Sequence, residues 1–94
     1  MRITNVFWLE VIVEKLASKH GVSTDEVEEA IWGNPRFRFV ERGERQNEDV
    51  YTVLGQSEAG RYLAILFIHK QDGTALILSA RDMAEKERRI YARK

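Results

Sequence analysis

The residues whose chemistry stands out lie near the end of the chain. Arg81 follows a strand-like run, Glu87 and Tyr91 follow it on a charged helical stretch, and Arg61 at the opening of an earlier strand is a second arginine that could join them. A guanidinium fork matches two phosphate oxygens, and a carboxylate can remove a proton from a ribose hydroxyl. Two arginines beside a carboxylate and a tyrosine could therefore cut RNA without a metal. The base takes the 2′-hydroxyl proton, and the arginines stabilise the charge gathering on a phosphorane-like transition state. Such a set calls for no cofactor and no metal.

The placement of Glu87 sharpens the question. At 100° per residue Met83, Glu87, Ile90 and Tyr91 share one helix face, with Ala84 at its edge. This sets a carboxylate in an apolar stripe, where it must be paired, protonated or held at the rim of the core. Arg81 is the nearest candidate partner, and Arg61, which opens a strand after Gly60, is a second. The plainer reading is structural, an ion pair that locks the last helix to the sheet. The residues alone leave both readings open. Glu85 and Arg89 form an i,i+4 pair worth a few tenths of a kcal/mol and needing no function.

Other candidates carry less. His20 suits a helix end and His69 a strand end. There is no His-x-x-x-His pair and no carboxylate cluster arranged for a metal. The Gly55–Gly60 stretch lacks the lysine and helix of a phosphate loop. Trp8 and Trp32 fall on or near apolar helical stripes and are expected in the core.

These side chains must be positioned by the elements around them. Trp8, Leu9, Ile12, Val13 and Leu16 recur at helical spacing, and Gly21 supplies the stop. A second helix opens at Ser23 with Glu26 three residues on, a capping box, and buries Val27, Ala30 and Ile31. The apolar period then changes to two. Strands are expected over 36–42, 50–54, 61–69 and 75–80. A polar loop over 43–49 separates the first two, and Asp72-Gly73 turns a hairpin between the last two. Asp82 is expected to cap the last helix, with Glu85 at its third position. The order ααββββα, with short connections, predicts an α+β domain: two N-terminal helices, a four-stranded antiparallel meander sheet and a C-terminal helix.

Composition limits the function classes. The chain has 94 residues, suited to a single domain spanning 1–94, and no cysteine, so disulfide scaffolds, thiolate metal sites and thiol nucleophiles are excluded. The apolar run from Tyr62 to Ile68 is too short to span a bilayer, and the N-terminal apolar stretch is broken by Glu10 and Glu14, so a cytoplasmic protein is expected. Net charge is zero but uneven: residues 1–34 hold three basic and six acidic groups, and residues 80–94 hold six and three. The cationic end could meet a few phosphates, fewer than a dedicated duplex binder.

Several blocks also recur in a known order. They are Lys19-His20-Gly21-Val22, Val50-Tyr51 with Leu54-Gly55, Gly60-Arg61 with Leu63, Ser79-Ala80-Arg81, and Glu87-Arg88-Arg89 with Tyr91. In order and spacing, from about residue 7 to 91, the chain resembles the BrnT-type toxins, the ribonuclease halves of type II toxin–antitoxin pairs. The resemblance implies a RelE-like fold and an endoribonuclease that cleaves RNA without a metal to slow translation and growth. It also implies a small ribbon-helix-helix antitoxin, BrnA-like, as partner, with DNA reached only through that antitoxin. Residue by residue it points to Arg61, Arg81, Glu87 and Arg88 as the catalytic set, with Arg89, Tyr91 and His20 as RNA contacts. Two departures are visible. The N-terminal segment keeps Phe7 and Trp8 but displaces its acidic residue to Glu10, and Tyr51 is preceded by acidic Glu48 and Asp49 rather than a basic residue. The acidic residues before Tyr51 motivate the alternative of a toxin-like module that binds antitoxin or RNA without cleaving.

Overall fold

The computed structural model describes residues 1–45 and 48–93. Gln46 and Asn47, within the predicted polar loop, and Lys94 lie outside the described residues.

Helix α1 (Glu10–His20) ends as its sequence requires. Gly21 takes a left-handed φ of 60°, and the Val22 N–H reaches back 3.1 Å to the Leu16 carbonyl. Only a residue without a Cβ adopts that turn freely. Helix α2 (Thr24–Trp32) begins with the expected reciprocal cap: Ser23 Oγ accepts from the Glu26 N–H, and Glu26 Oε1 accepts from the Ser23 N–H, each at 3.1 Å. Strands β2 (Arg36–Glu41), β3 (Asp49–Gln56), β4 (Tyr62–His69) and β5 (Thr74–Asp82) form the antiparallel meander, and helix α3 (Glu85–Ala92) closes the order.

The sheet itself has five strands: β1 (Asn5–Phe7) lies at one edge, and the order across the sheet is β1-β5-β4-β3-β2. The added strand β1 pairs parallel to β5, with Asn5 opposite Thr74. The sheet is therefore mixed, not the four-stranded antiparallel one expected. Three residues are too few to show a period of two. The helical pattern had also absorbed Trp8 and Leu9, which precede α1. Trp32 is a second correction. It is 51% exposed, at the end of α2, rather than in the core.

The sheet has unequal faces. Against one lie α1 and α2, whose Leu16, Val27 and Ile31 pack on Val53, Ile65, Phe67 and Ile77. Here β3 and α2 come so close that a Cβ on Gly55 would sit 2.6 Å from the Ala30 carbonyl oxygen, so glycine is required. On the other face Leu54, Ala64 and Met83 pack with Tyr62, Ile90 and Tyr91. No residue of α3 is fully buried. Its apolar attachment is therefore modest, and polar contacts contribute much of what holds it.

A bulge interrupts the β4–β5 ladder: Phe67 is opposite Ile77 while Leu66 is opposite Ser79, which leaves Leu78 extra. Beyond it Ala80 and Asp82 pair with Ile65 and Leu63, on the α1/α2 face. Arg81 pairs with Ala64, on the α3 face.

Candidate functional site

Met83 donates its N–H to the Tyr62 carbonyl at 3.0 Å, and the chain turns into α3 two residues later. Asp82, expected as the cap, is still strand. The group that reaches back is Glu87, at the third position of the helix, whose Oε1 accepts from the Ala84 N–H at 2.8 Å. The same carboxylate takes a two-pronged contact from Arg81: Nη1 to Oε1 at 2.6 Å and Nη2 to Oε2 at 2.9 Å. Glu87 is thus tied to the sheet and to its own helix end. Its side chain is 17% exposed, whereas that of Arg81 is 51% exposed, so the arginine forms the wet side of the pair. Nη1 of Arg81 also donates to the Asp82 carbonyl at 3.2 Å, which leaves its Nε–H and one Nη2–H without a protein acceptor among the described residues.

The Arg81 contact holds the Glu87 carboxyl below its ordinary range. Burial opposes this, the Ala84 N–H adds to it, and the positive charge of Arg38 contributes last. Arg38 projects from β2 on the same sheet face, opposite Thr52. It was not among the predicted site residues, although the alternation Arg36-Phe37-Arg38-Phe39 already set it on the face away from the phenylalanines.

Further along α3 a groove of about 450 Å³ is lined by Arg36, Gln56, Tyr62, Arg88, Arg89 and Tyr91. The guanidinium of Arg88 sits 4.3 Å from the Tyr62 ring centre. Tyr62 and Tyr91 meet edge to face at 6.1 Å, and the Tyr91 hydroxyl donates to the Asn34 carbonyl at 2.8 Å. The predicted Glu85–Arg89 ion pair is not formed among the described residues.

Arg61 is employed differently. Its Nε and Nη2 grip Asp82 at 2.7 and 3.2 Å. Nη1 donates to the Gly21 carbonyl at 2.8 Å and to Glu26 at 3.3 Å, and Nη2 to the His20 carbonyl at 3.0 Å. Each of the guanidinium's N–H groups has a protein acceptor. Arg61 satisfies carbonyls at the negative end of α1 and bridges to the start of α2 and the end of β5. It has no donor left for a phosphate. His20 stands with it on the α1/α2 side, where its charge helps to hold Asp82 low, after the larger effect of Arg61. The sheet separates both residues from Glu87. Arg81, Glu87, Arg88, Arg89 and Tyr91 are brought to one face; Arg61 and His20 are not.

The acidic departure at Glu48 and Asp49 lies elsewhere. Asp49 pairs with His69 at one end of β3, and Gln56 with Tyr62 at the other, about 23 Å away along the strand. Glu48 meets Lys70 at 3.4 Å, and Asp49 accepts from the Gly43 N–H. Among the described residues no group of three or more His, Asp or Glu side chains is placed to hold a metal ion, and no helix is long and apolar enough to cross a membrane.

Residues 8–87 match the family described as "Ribonuclease toxin, BrnT, of type II toxin-antitoxin system". The chain belongs to the BrnT family. Membership makes it a ribonuclease toxin of a type II toxin–antitoxin system and implies an RNA substrate and an antitoxin partner. The crystal structure of the Brucella abortus ribonuclease toxin BrnT is similar to it with a TM-score of 0.62 and 13% sequence identity, over 86% of this chain and 97% of that one. At that identity the likeness speaks for the fold. No curated protein matches the sequence significantly.

The carboxylates give this BrnT chain a specific acid response. Glu26, Asp82 and Glu87 are all held below their ordinary values: Glu26 chiefly by the Ser23 N–H, Asp82 by Arg61 and Glu87 by Arg81. The unfolded chain takes up these protons near pH 4, and the folded chain only at lower pH. The stability they contribute is therefore fully present above the unfolded values and is lost as pH falls through the folded ones. Melting temperature against pH should be flat in this respect from neutrality to about pH 5 and fall below about pH 4. A melting temperature that rises on acidification would contradict this linkage.

Proposed function

We propose that this chain is a metal-independent endoribonuclease, of the RelE-like kind, in which Glu87 is the base and Arg81 the principal phosphate contact. The observation that carries the reading is the two-pronged Arg81–Glu87 pair, half open to solvent on the face where Arg38 and Arg88 add positive charge. A ribose 2′-oxygen attacks the adjacent phosphorus and the 5′-oxygen departs, leaving a 2′,3′-cyclic phosphate. Glu87 takes the hydroxyl proton and returns it to the departing oxygen. The unengaged N–H groups of Arg81 and the guanidinium of Arg88 stabilise the phosphorane-like charge.

Pairing with Arg81 keeps Glu87 ionised but weakens it as a base. An incoming phosphate resolves that conflict by competing for the Arg81 fork, which loosens its hold on the carboxylate as the proton must move. Arg89 and Tyr91 contact RNA beside this centre. Arg61 positions the strand end that carries Arg81, and His20, on the far side of the sheet beside Arg61, takes no part in this centre. Cleaved RNA would slow translation and growth in the cytoplasm, and a BrnA-like ribbon-helix-helix antitoxin would hold the toxin in check and link it to DNA.

The test is inducible expression of the wild type beside an Arg81→Ala/Glu87→Gln double variant, with growth and RNA integrity followed together. The wild type should arrest growth and fragment RNA, and the folded double variant should do neither. Equal toxicity of the two proteins would remove this pair from the mechanism.

A further inference from the structure

Among the described residues, Arg36, Arg88 and Arg89 line one groove with no carboxylate at ion-pairing distance from any of them. Glu85 is the single acidic residue on the groove wall. Like-charged side chains gathered without counter-charge repel one another, and binding an anion relieves that repulsion. The floor is aromatic: Tyr62 carries Arg88 over its face and meets the edge of Tyr91, which is itself anchored through its hydroxyl to the Asn34 carbonyl. A flat cation on an aromatic wall, with further guanidinium groups nearby, combines the two things a single-stranded nucleotide needs, a stacking platform and a phosphate contact. Gln56 gives one amide N–H to the Gly60 carbonyl, which leaves its second N–H and its side-chain oxygen for a base edge.

Position relative to the proposed cleavage centre completes the case. Arg36 and Arg38 lie two residues apart on β2, facing the same side of the sheet opposite Leu54 and Thr52. That separation is about 7 Å, comparable with the step between successive phosphates of an extended single strand. Arg38 acts on Glu87 and Arg36 lines the groove.

We infer that the groove formed by Arg36, Tyr62, Arg88 and Arg89 is a subsite for the nucleotide adjoining the scissile phosphate, its base stacked on the Arg88 guanidinium that Tyr62 supports and its phosphate held by Arg36. The inference rests on the nuclease reading for its orientation but not for its test.

The probe is a fluorescent single-stranded oligonucleotide carrying 2′-O-methyl groups throughout, which binds without being cut. Its affinity is measured by anisotropy across a salt series. Arg36→Ala should weaken binding by about tenfold and flatten the log–log salt dependence by about 0.7, the share of one phosphate on a single strand. Tyr62→Leu should weaken it by a similar factor with the slope unchanged. Arg89→Ala, on an exposed helix position, serves as the variant least able to disturb folding and should also flatten the slope. Circular dichroism melts identify any variant that has lost structure.

Folded Arg36→Ala and Arg89→Ala variants with wild-type affinity and slope would overturn the subsite. So would a groove that binds poly-glutamate through Arg36 while the oligonucleotide ignores that substitution, since the occupant would then be an acidic peptide. Cleavage is scored separately on all-ribose RNA. A wild type that never cleaves, yet binds the probe through Arg36, sinks the nuclease reading and supports the groove.

Discussion

Glutamine at position 87 should leave the toxin folded and lower its rate of RNA cleavage by about a hundredfold to ten-thousandfold. The substitution is nearly isosteric, and the amide oxygen can still accept the Ala84 N–H that Glu87 now binds at 2.8 Å. It removes the negative charge, and with it the proton acceptor and the full strength of the Arg81 contact. Because Arg81 is 51% exposed, solvent screens that contact, and its loss costs about 1 kcal/mol of stability. In a domain of this size that is a fall in melting temperature of about 4–8 °C. Initial rates of cyclic-phosphate formation, measured well below the transition, separate the two effects. Wild-type turnover by the glutamine variant would eliminate Glu87 as the base. A fall in melting temperature of about 15 °C or more would instead make the pair chiefly a structural latch for α3.

Arg61→Ala should do the opposite, unsettling the fold far more than the chemistry. The side chain is 27% exposed and serves Asp82, Glu26 and two carbonyls at the end of α1. Its removal leaves carboxylates facing one another and carbonyls without donors. Hydrogen bonds to charged groups contribute about 1.5–3 kcal/mol each, but these share one guanidinium and are not additive. A loss of about 2–3 kcal/mol is expected for the whole clamp. That lowers the melting temperature by about 10–20 °C. Lysine should rescue little, since a compact ammonium cannot span acceptors on several sides as a planar fork does. Cleavage per folded molecule at low temperature should stay within a few-fold of wild type. A stable Arg61→Ala protein that no longer cuts RNA would return this arginine to the active set.

Much of the fold was legible in the sequence because its signals are local. The Ser23–Glu26 cap, the Gly21 stop and the Asp72-Gly73 turn each act over a few residues, and all are present. The Arg81–Glu87 partnership was legible too, since a carboxylate at the rim of an apolar face requires a cation. Strand β1 was not, because its three residues pair with a strand that lies far along the chain. Nor was the employment of Arg61. Whether an arginine after a loop glycine faces a ligand or a helix end depends on strand register, which no short-range pattern reveals. Arg36 and Tyr62 escaped notice for a related reason. Each reads as an ordinary strand residue until α3 is laid across the sheet and a groove forms between them.

The extra residue in β5 decides more than the shape of that strand. Side chains on a strand alternate, so parity assigns each one to a face. Counted without interruption from inward-facing Ile77, Arg81 would share its face and Asp82 would lie opposite. Leu78 shifts the count by one. The acid consequently turns toward Arg61 and the base toward Glu87, and two adjacent, oppositely charged residues serve opposite sides of the sheet. Flattening the bulge with every residue kept would exchange them, so that an arginine would confront Arg61 and an aspartate Glu87, whereas deleting Leu78 would remove the bulge and leave both on the faces they now hold. A single step in counting thus separates a sheet that holds together and presents a cation from one that repels itself on both faces.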